Sequence, residues 1–178
     1  MTPARTDGFL VRRAVESDFR AHKALRLLAL EHDPAAFADD LATASKRTEA
    51  EWTAAFSQNL SGDEQTLFVA EVEGLLIGML GARRGRGPKL RHSADLFAMF
   101  IRPDQRGRGL GSALIAAVIA WGRELGLARL ELSVTAGQTA AEHAYRSAGF
   151  TLFGTAHGAL RVDGQDLDQT LMEFSFPA

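Results

Sequence analysis

The stretch Ile101-Arg-Pro-Asp-Gln-Arg-Gly-Arg-Gly-Leu-Gly-Ser-Ala-Leu114 decides most of the fold of this 178-residue chain. It follows an apolar run, residues 94–101, that only Asp95 interrupts and that is typical of a buried strand. Pro103-Asp104 predicts a turn directly after that strand. Beyond the glycines, apolar residues recur at helical spacing over residues 110–121. The stretch therefore predicts a strand, a glycine-rich loop and a helix, in that order.

This order of elements predicts an anion-binding site at the start of the helix. Free backbone N–H groups and the positive end of the helix dipole meet there, and both favour a phosphate or pyrophosphate. Two familiar phosphate motifs are excluded. The P-loop requires a Gly-Lys dipeptide, which the sequence lacks, and the third glycine of a dinucleotide fingerprint falls on Ser112 or Leu114.

What remains is the pattern Arg-x-x-Gly-x-Gly, formed by Arg106, Gly109 and Gly111. It resembles the acetyl-CoA motif of the GNAT family of N-acetyltransferases, in which the loop amides hold the pyrophosphate of CoA. A second segment, residues 134–150, is similar to the family's later motif, usually Asn-x-x-Ala-x-x-x-Tyr-x-x-x-Gly-Phe. Tyr145, the only tyrosine of the chain, lies at the tyrosine position. Gln138 stands where the family commonly has asparagine, so the amide is kept and a methylene is added.

The resemblance implies a cofactor, a general acid and a set of binding residues. The cosubstrate is acetyl-CoA, and no metal is expected. Tyr145 is expected to protonate the departing CoA thiolate, because a tyrosine with a pKa near 10 stays protonated where a thiol near 8.5 begins to ionise. A backbone N–H of the strand ending at Ile101 is expected to stabilise the oxyanion. The residues expected to hold acetyl-CoA are Met99, Phe100, Ile101, Arg106, Gly107, Arg108, Gly109, Leu110, Gly111, Ser112, Gln138 and Tyr145.

The general base is less tightly specified by the sequence. Asp95 occupies the position of the glutamate used by the histone-acetylating branch of the family, and it is the preferred base. In relatives that acetylate ribosomal proteins, a glutamate on the following strand serves instead, and Ser133 holds that position here. Glu131 is predicted to share the face of Ser133, because side chains two residues apart on a strand point the same way. A strand-end carboxylate that contacts only solvent is the alternative reading of Asp95.

Composition indicates one ordinary globular domain over residues 1–178. Hydrophobic residues make up 46% and charged residues 24%, with a net charge of −2, so nothing points to nucleic acid or to a membrane. The basic segment 83–91 contains no aromatic residue on which a base could stack. There is no cysteine, which excludes disulfides and thiolate chemistry. No signal or membrane-spanning segment is recognised, and a cytoplasmic location is expected.

The order of predicted elements, β-α-α-β-β-β-α-β-α-β-β, is that of the acetyltransferase family. The expected fold is mixed α/β, with a mostly antiparallel central sheet of about seven strands and about four helices. Substrate recognition is expected in the first two helices, in the last hairpin and in the acidic loop 33–47, which could attract a cationic amine. The expected acceptor is a primary amine of a small molecule. A protein or peptide acceptor, a non-catalytic acetyl-CoA-binding module and a homodimer remain open.

Overall fold

The computed structural model describes residues 4–6 and 8–177. One sheet runs through the molecule, and helices cover both of its faces. The strands are β1 (Ala4–Thr6), β2 (Phe9–Arg13), β3 (Gln65–Val72), β4 (Leu75–Arg84), β5 (Ser93–Ile101), β6 (Arg129–Thr135), β7 (Thr151–Val162) and β8 (Gln165–Ser175). The α-helices are α1 (Phe19–His32), α2 (Leu41–Ser45), α3 (Glu49–Gln58), α4 (Leu110–Glu124) and α5 (Thr139–Ser147).

The strand order is β1-β2-β3-β4-β5-β6-β8-β7. Every neighbouring pair is antiparallel except β5 and β6, which run parallel because α4 returns the chain between them. Seven of the strands are longer than three residues, and four helices are longer than five. The predicted mixed, mostly antiparallel fold is therefore confirmed. No helix of the described residues is long and apolar enough to span a membrane.

Two apolar layers hold the sheet between the helices. On one face, α4 and α5 bury a cluster that includes Leu114, Trp121 and Tyr145 against β4, β5 and β6. On the other face, α1, α2 and α3 bury a second cluster that includes Leu30 and Trp52. The helical spacing seen in the sequence is what directs the apolar side of each helix onto the sheet.

Some boundaries differ from those that the sequence predicts. For the last hairpin, the sequence predicts strands over residues 151–154 and 168–176 with a turn at Asp163-Gly164. The hairpin is longer, because β7 continues to Val162 and β8 begins at Gln165. Its turn is the predicted one, with positive φ at Asp163 and Gly164. The loop 35–47 contains the short helix α2. Apolar and polar residues do not alternate regularly along β7. A period of two therefore cannot reveal this edge strand from the sequence.

A β-bulge near the end of β5 re-aims the side chains that follow it. Ala98 has φ +56°, in the left-handed region, and the register with β4 shifts between Met79 and Gly81. Before the bulge, Leu96 packs on the α4–α5 face, and after it Met99 packs on that same face instead of the opposite one. One extra residue in the strand produces this switch in alternation.

We expect Ala98→Gly to stabilise the protein modestly. An L-residue in the left-handed region costs roughly 1–2 kcal/mol, and glycine relieves this strain. The greater entropy of glycine in the unfolded state offsets roughly 0.5–1 kcal/mol of the relief. The expected net gain in the free energy of unfolding is about 0.5–1 kcal/mol, to be measured by urea denaturation. Ala98→Val should be destabilising, because a β-branched side chain tolerates a positive φ poorly. Equal stability of the two variants would show that the bulge is not strained.

Candidate functional site

Helix α4 begins without any of the usual caps. Its N-cap residue, Gly109, has φ +78° and no side chain, and the first turn carries no acidic residue. The first intrahelical hydrogen bond runs from Ala113 N to Gly109 O. The amides of residues 110–112 precede that bond and have no partner within the helix. An uncapped, carboxylate-free helix start of this kind suits an anionic ligand.

The glycines of this loop are required by backbone shape. Gly107 and Gly109 both have φ +78°, and a Cβ added to either would meet no atom within 4 Å. Their positive φ explains why glycine stands there, because an L side chain would strain this turn. The open space beside them leaves room for a ligand to reach the amides.

Three of the segments singled out in the sequence converge at Gly111. A Cβ added to Gly111 would lie 3.3 Å from Met99 Cε, 3.5 Å from Ile101 Cδ1 and 3.9 Å from Ala144 Cβ. The start of α4, the end of β5 and the turn of α5 that carries Tyr145 therefore meet. The structure brings the glycine loop, the strand end and the tyrosine helix into one site.

The two parallel strands separate beside this point. β5 and β6 pair only through Ser93, Ala94 and Asp95, opposite residues 129–131. From there β6 continues in register with β8 up to Thr135, while β5 stays with β4. The β6-facing edge of residues 96–101 thus has no strand partner in the described structure. Such an edge can take an extended ligand by main-chain hydrogen bonding.

Not every residue of the predicted cofactor set offers its side chain to this cleft. Met99 and Ile101 face α4 and α5. Phe100 is buried in the opposite apolar layer, and the Leu110 side chain is buried in the core. Phe100 and Leu110 can therefore contact a ligand only through their main chain.

The arginines of the loop have partners within the protein. Arg106 forms an ion pair with Asp33 at the end of α1 and donates from Nε to Ile101 O at 3.1 Å. Arg108 donates to the side chain of Gln105. In this geometry Arg106 joins the glycine loop to the end of α1. The expectation that its guanidinium adds charge for an anion would require this ion pair to open.

Tyr145 lies almost completely buried on α5, with its ring edge-on to Phe150 at 5.4 Å between centroids. Burial raises the pKa of the Tyr145 phenol above its ordinary value near 10. The hydroxyl therefore stays protonated across the physiological range. A protonated hydroxyl can donate a proton but cannot serve as a base near pH 7.

Asp95 lies at the apex of the cleft, in the last residue pair before β5 and β6 separate, opposite Glu131. Its side chain is 55% exposed and approaches Arg83 to 3.9 Å. It points to the face opposite that of its neighbours Ala94 and Leu96, which pack under α4. Asp95 and Tyr145 thus lie on opposite sides of the sheet, flanking the cleft.

Glu131 is the cross-strand partner of Asp95 and lies on the same face, and it shares that face with Ser133, as the spacing on β6 predicts. Its carboxylate contacts Arg129, which also approaches Glu173 of β8 to 3.7 Å. Ser133 is exposed on the same face. Both carboxylates stay candidates for the base, and Asp95 is the less firmly held of the two.

Gln138 is the N-cap residue of α5, and its side chain makes no capping hydrogen bond. It is partly exposed at the end of the loop that follows β6. The side-chain amide is therefore available to a ligand.

A shallow groove continues from the start of α4 between α4 and α5. Its volume is about 290 Å³. The groove begins at the uncapped first turn of α4 and ends near the guanidinium of Arg123. It is lined by Ser112, Ala116, Ile119, Arg123, Ser147 and Ala148.

The acidic loop 33–47 offers less negative charge than its sequence suggests. Asp33 is bound by Arg106, and Asp39 by Arg47 at 2.9 Å. Asp40 caps α2, accepting from Thr43 N at 2.8 Å. Two of the three carboxylates are therefore paired with arginines, whereas Asp40 is exposed and keeps its negative charge.

Arg26 is the polar residue of this region that sequence reasoning missed. It lies on α1 among the apolar positions 25, 29 and 30, one turn after the buried His22. The sequence could have indicated Arg26, because it is a cation among the apolar positions of one helix face, and a polar residue at a core position is usually functional. Within residues 4–6 and 8–177, no group of three or more acidic, histidine or cysteine side chains has a metal-binding arrangement.

Comparisons with known proteins agree with this geometry. The profile of the "Acetyltransferase (GNAT) family" matches residues 14–150. An uncharacterized N-acetyltransferase of Methanocaldococcus jannaschii is 31% identical over 119 residues, 66% of this chain and 52% of the relative. An L-methionine sulfoximine/L-methionine sulfone acetyltransferase of Pseudomonas aeruginosa is 32% identical over 78 residues, 44% of this chain and 45% of the relative.

Among solved structures, a ribosomal-protein-alanine N-acetyltransferase from Brucella melitensis superposes with a TM-score of 0.80 and 27% identity. The superposition covers 94% of this chain and 99% of that one. The chain spans 52% or less of the length of the curated relatives just described.

Proposed function

Because this chain belongs to the GNAT family of acetyltransferases, we propose that it transfers the acetyl group of acetyl-CoA to a primary amine of a small molecule. The amine attacks the thioester directly, without an acyl-enzyme. The observation that carries this proposal is the convergence at Gly111 of the glycine loop, the free edge of β5 and the helix of Tyr145.

The site fits acetyl-CoA in shape and in chemistry. The free amides at the start of α4 suit the pyrophosphate, and the unpaired edge of β5 suits the pantetheine arm, whose amides can extend the sheet. The groove from Ser112 to Arg123 suits the adenosine end, with Arg123 available to its 3′-phosphate. When bound, acetyl-CoA supplies an activated acetyl thioester.

The protein's part in the chemistry is to place donors where charge develops. Tyr145 is the proposed general acid, because its phenol is protonated and its helix α5 meets the start of α4 at Gly111. A main-chain N–H of β5 near the bulge is the proposed donor to the acetyl carbonyl oxygen as that oxygen gains negative charge. Asp95, at the apex of the cleft, is the proposed base. It takes a proton from the ammonium group of the acceptor, and the neutral amine that results attacks the thioester.

Two relatives indicate different classes of acceptor. The Pseudomonas aeruginosa relative is named for small amino-acid analogues, which favours a small amine as the acceptor. The Brucella melitensis relative is named for a protein substrate. A protein or peptide amine is therefore the second candidate.

The test is a panel of small amines and peptides with acetyl-CoA, read by release of free CoA and by mass spectrometry of the product. We expect a mass gain of one acetyl group on a small primary amine. Acetylation of peptides alone would favour the second candidate. Binding of acetyl-CoA without turnover on any acceptor would favour a non-catalytic acetyl-CoA-binding module.

A further inference from the structure

Arg26 carries a positive charge that the protein itself does not neutralise. Its Nη1 is shielded from solvent and has no hydrogen-bond partner in the described structure. Desolvation lowers the pKa of its guanidinium, and nearby Arg47 lowers it further. Asp39 acts in the opposite direction, but its carboxylate is bound by Arg47 at 2.9 Å.

Leaving a guanidinium in this condition is costly. A partly buried ion without a partner keeps most of its desolvation penalty. The ring of Phe37, 4.4 Å from Arg26 Cζ, offsets part of that cost by a cation–π contact. It supplies no hydrogen-bond acceptor, so the donor on Nη1 stays unsatisfied. An unsatisfied charged donor of this kind is a candidate contact for a ligand.

The segment that covers Arg26 also borders the proposed site. Phe37 comes two residues after Ala35, whose carbonyl accepts a hydrogen bond from Thr135 Oγ1 at 2.6 Å. Thr135 is the last residue of β6, the strand that forms one side of the cleft. Asp33, at the start of the same segment, is paired with Arg106 of the glycine loop. Loop 33–37 thus runs from the cofactor loop to β6, with Arg26 beneath it.

We propose that Arg26 binds a carboxylate of the acceptor, so that the substrates are amines that also carry a carboxylate, as α-amino acids do. This inference rests on the proposed function. It agrees with the ion pairs of Asp33 and Asp39 in loop 33–47, because a carboxylate-bearing acceptor would be repelled by unpaired carboxylates. It also accounts for an arginine rather than a lysine, since a planar guanidinium can hold a carboxylate through two parallel hydrogen bonds.

The test compares α-amino acids with their primary amides as acceptors, in the wild type and in Arg26→Met. The amide keeps the amine and the side chain but lacks the negative charge. We expect the wild type to acetylate the acids with the higher kcat/KM. Arg26→Met should raise KM for the acids about 10- to 100-fold, because a charge-assisted hydrogen bond is lost. KM for the amides and the affinity for acetyl-CoA should not change.

Two controls separate a binding role from a structural one. Arg20→Met removes the same charge from an exposed position of the same helix and should alter neither substrate class. Arg26→Met itself should raise the melting temperature by a few degrees, because an uncompensated charge is replaced by an apolar chain of similar length. A lower melting temperature would indicate that Arg26 is structural and would overturn the proposal.

A binding measurement without turnover completes the test. N-acetyl amino acids, the expected products, are titrated calorimetrically into the protein saturated with CoA. Binding that weakens in Arg26→Met supports the inference. Acetylation of amines with no preference for a carboxylate would overturn it while the proposed function stands. If no amine is acetylated and no N-acetyl amino acid binds, both are wrong.

Discussion

Replacing Tyr145 with phenylalanine is expected to lower turnover roughly ten- to a thousand-fold. Positioned proton transfer is typically worth 10²–10⁴ in rate, and solvent can replace part of it. The substitution removes only the hydroxyl, because the ring keeps its edge-on contact with Phe150. The loss should appear equally in kcat and in kcat/KM, as for an interaction made only in the transition state.

The controls for Tyr145→Phe are affinity and stability. Acetyl-CoA affinity and melting temperature should stay near the wild-type values, since the proposed pyrophosphate and pantetheine contacts are made by other residues. In the wild type, deprotonation of Tyr145 should not lower kcat below about pH 10, because burial raises the pKa of Tyr145 above its ordinary value near 10. Wild-type turnover by the Phe variant, measured where chemistry limits the rate, would remove Tyr145 from the mechanism.

Replacing Gly109 with valine is expected to weaken acetyl-CoA binding about 100-fold, a loss of about 2.7 kcal/mol. Gly109 has φ +78° and open space around it, so valine would shift the backbone that aims the first amides of α4. At 100-fold excess over its dissociation constant, acetyl-CoA should stabilise the wild type by about 2.7 kcal/mol. That stabilisation corresponds to roughly 5–10 °C in melting temperature for a domain of this size. The shift should be nearly absent in the variant.

The matched control for this variant lies at the other end of the same helix. Gly126 follows α4 with φ +62°, and a Cβ added to it would likewise meet no atom within 4 Å. Gly126→Val should lose similar intrinsic stability, about 1–2 kcal/mol from strain, and should keep the full acetyl-CoA shift. If both valine variants keep the shift, the pyrophosphate does not bind at the start of α4.

Local patterns in the sequence were sufficient for the elements that form the site. The apolar run of β5 and the glycines before α4 each report on backbone structure within a few residues, so period and composition could place them. The order of elements then fixed the fold family. The predicted apposition of the glycine loop and Tyr145 needed the resemblance as well, because the two segments are about 35 residues apart in the sequence.

Features that depend on distant partners could not be predicted. The separation of β5 from β6 is a matter of pairing between strands, and the bulge at Ala98 lies within an unbroken apolar run. The pairing of Arg106 with Asp33 joins residues that are 73 positions apart. Arg106 therefore also links the glycine loop to the end of α1, besides the ligand contact expected of it from the sequence.

Electrostatic balance was the least predictable property of the site. In the sequence, the aspartates of loop 33–47 suggest a negatively charged surface, and Arg26 is one of many charged residues of α1. Only the fold shows that Asp39 is neutralised by Arg47, whereas Arg26 retains an unpartnered donor. The negative charge that loop 33–47 offers to an acceptor is therefore smaller than its sequence suggests.

The measurement that tests the central claim most directly is an NMR titration of the backbone amides with acetyl-CoA. The largest shifts are predicted for residues 107–112, where the pyrophosphate would bind, and for residues 96–101 on the free edge of β5. The shifts of both sets of residues should saturate with the same dissociation constant, in the micromolar range. Saturable shifts confined to other parts of the molecule, or no shifts at millimolar acetyl-CoA, would contradict the assignment of this cleft as an acetyltransferase site.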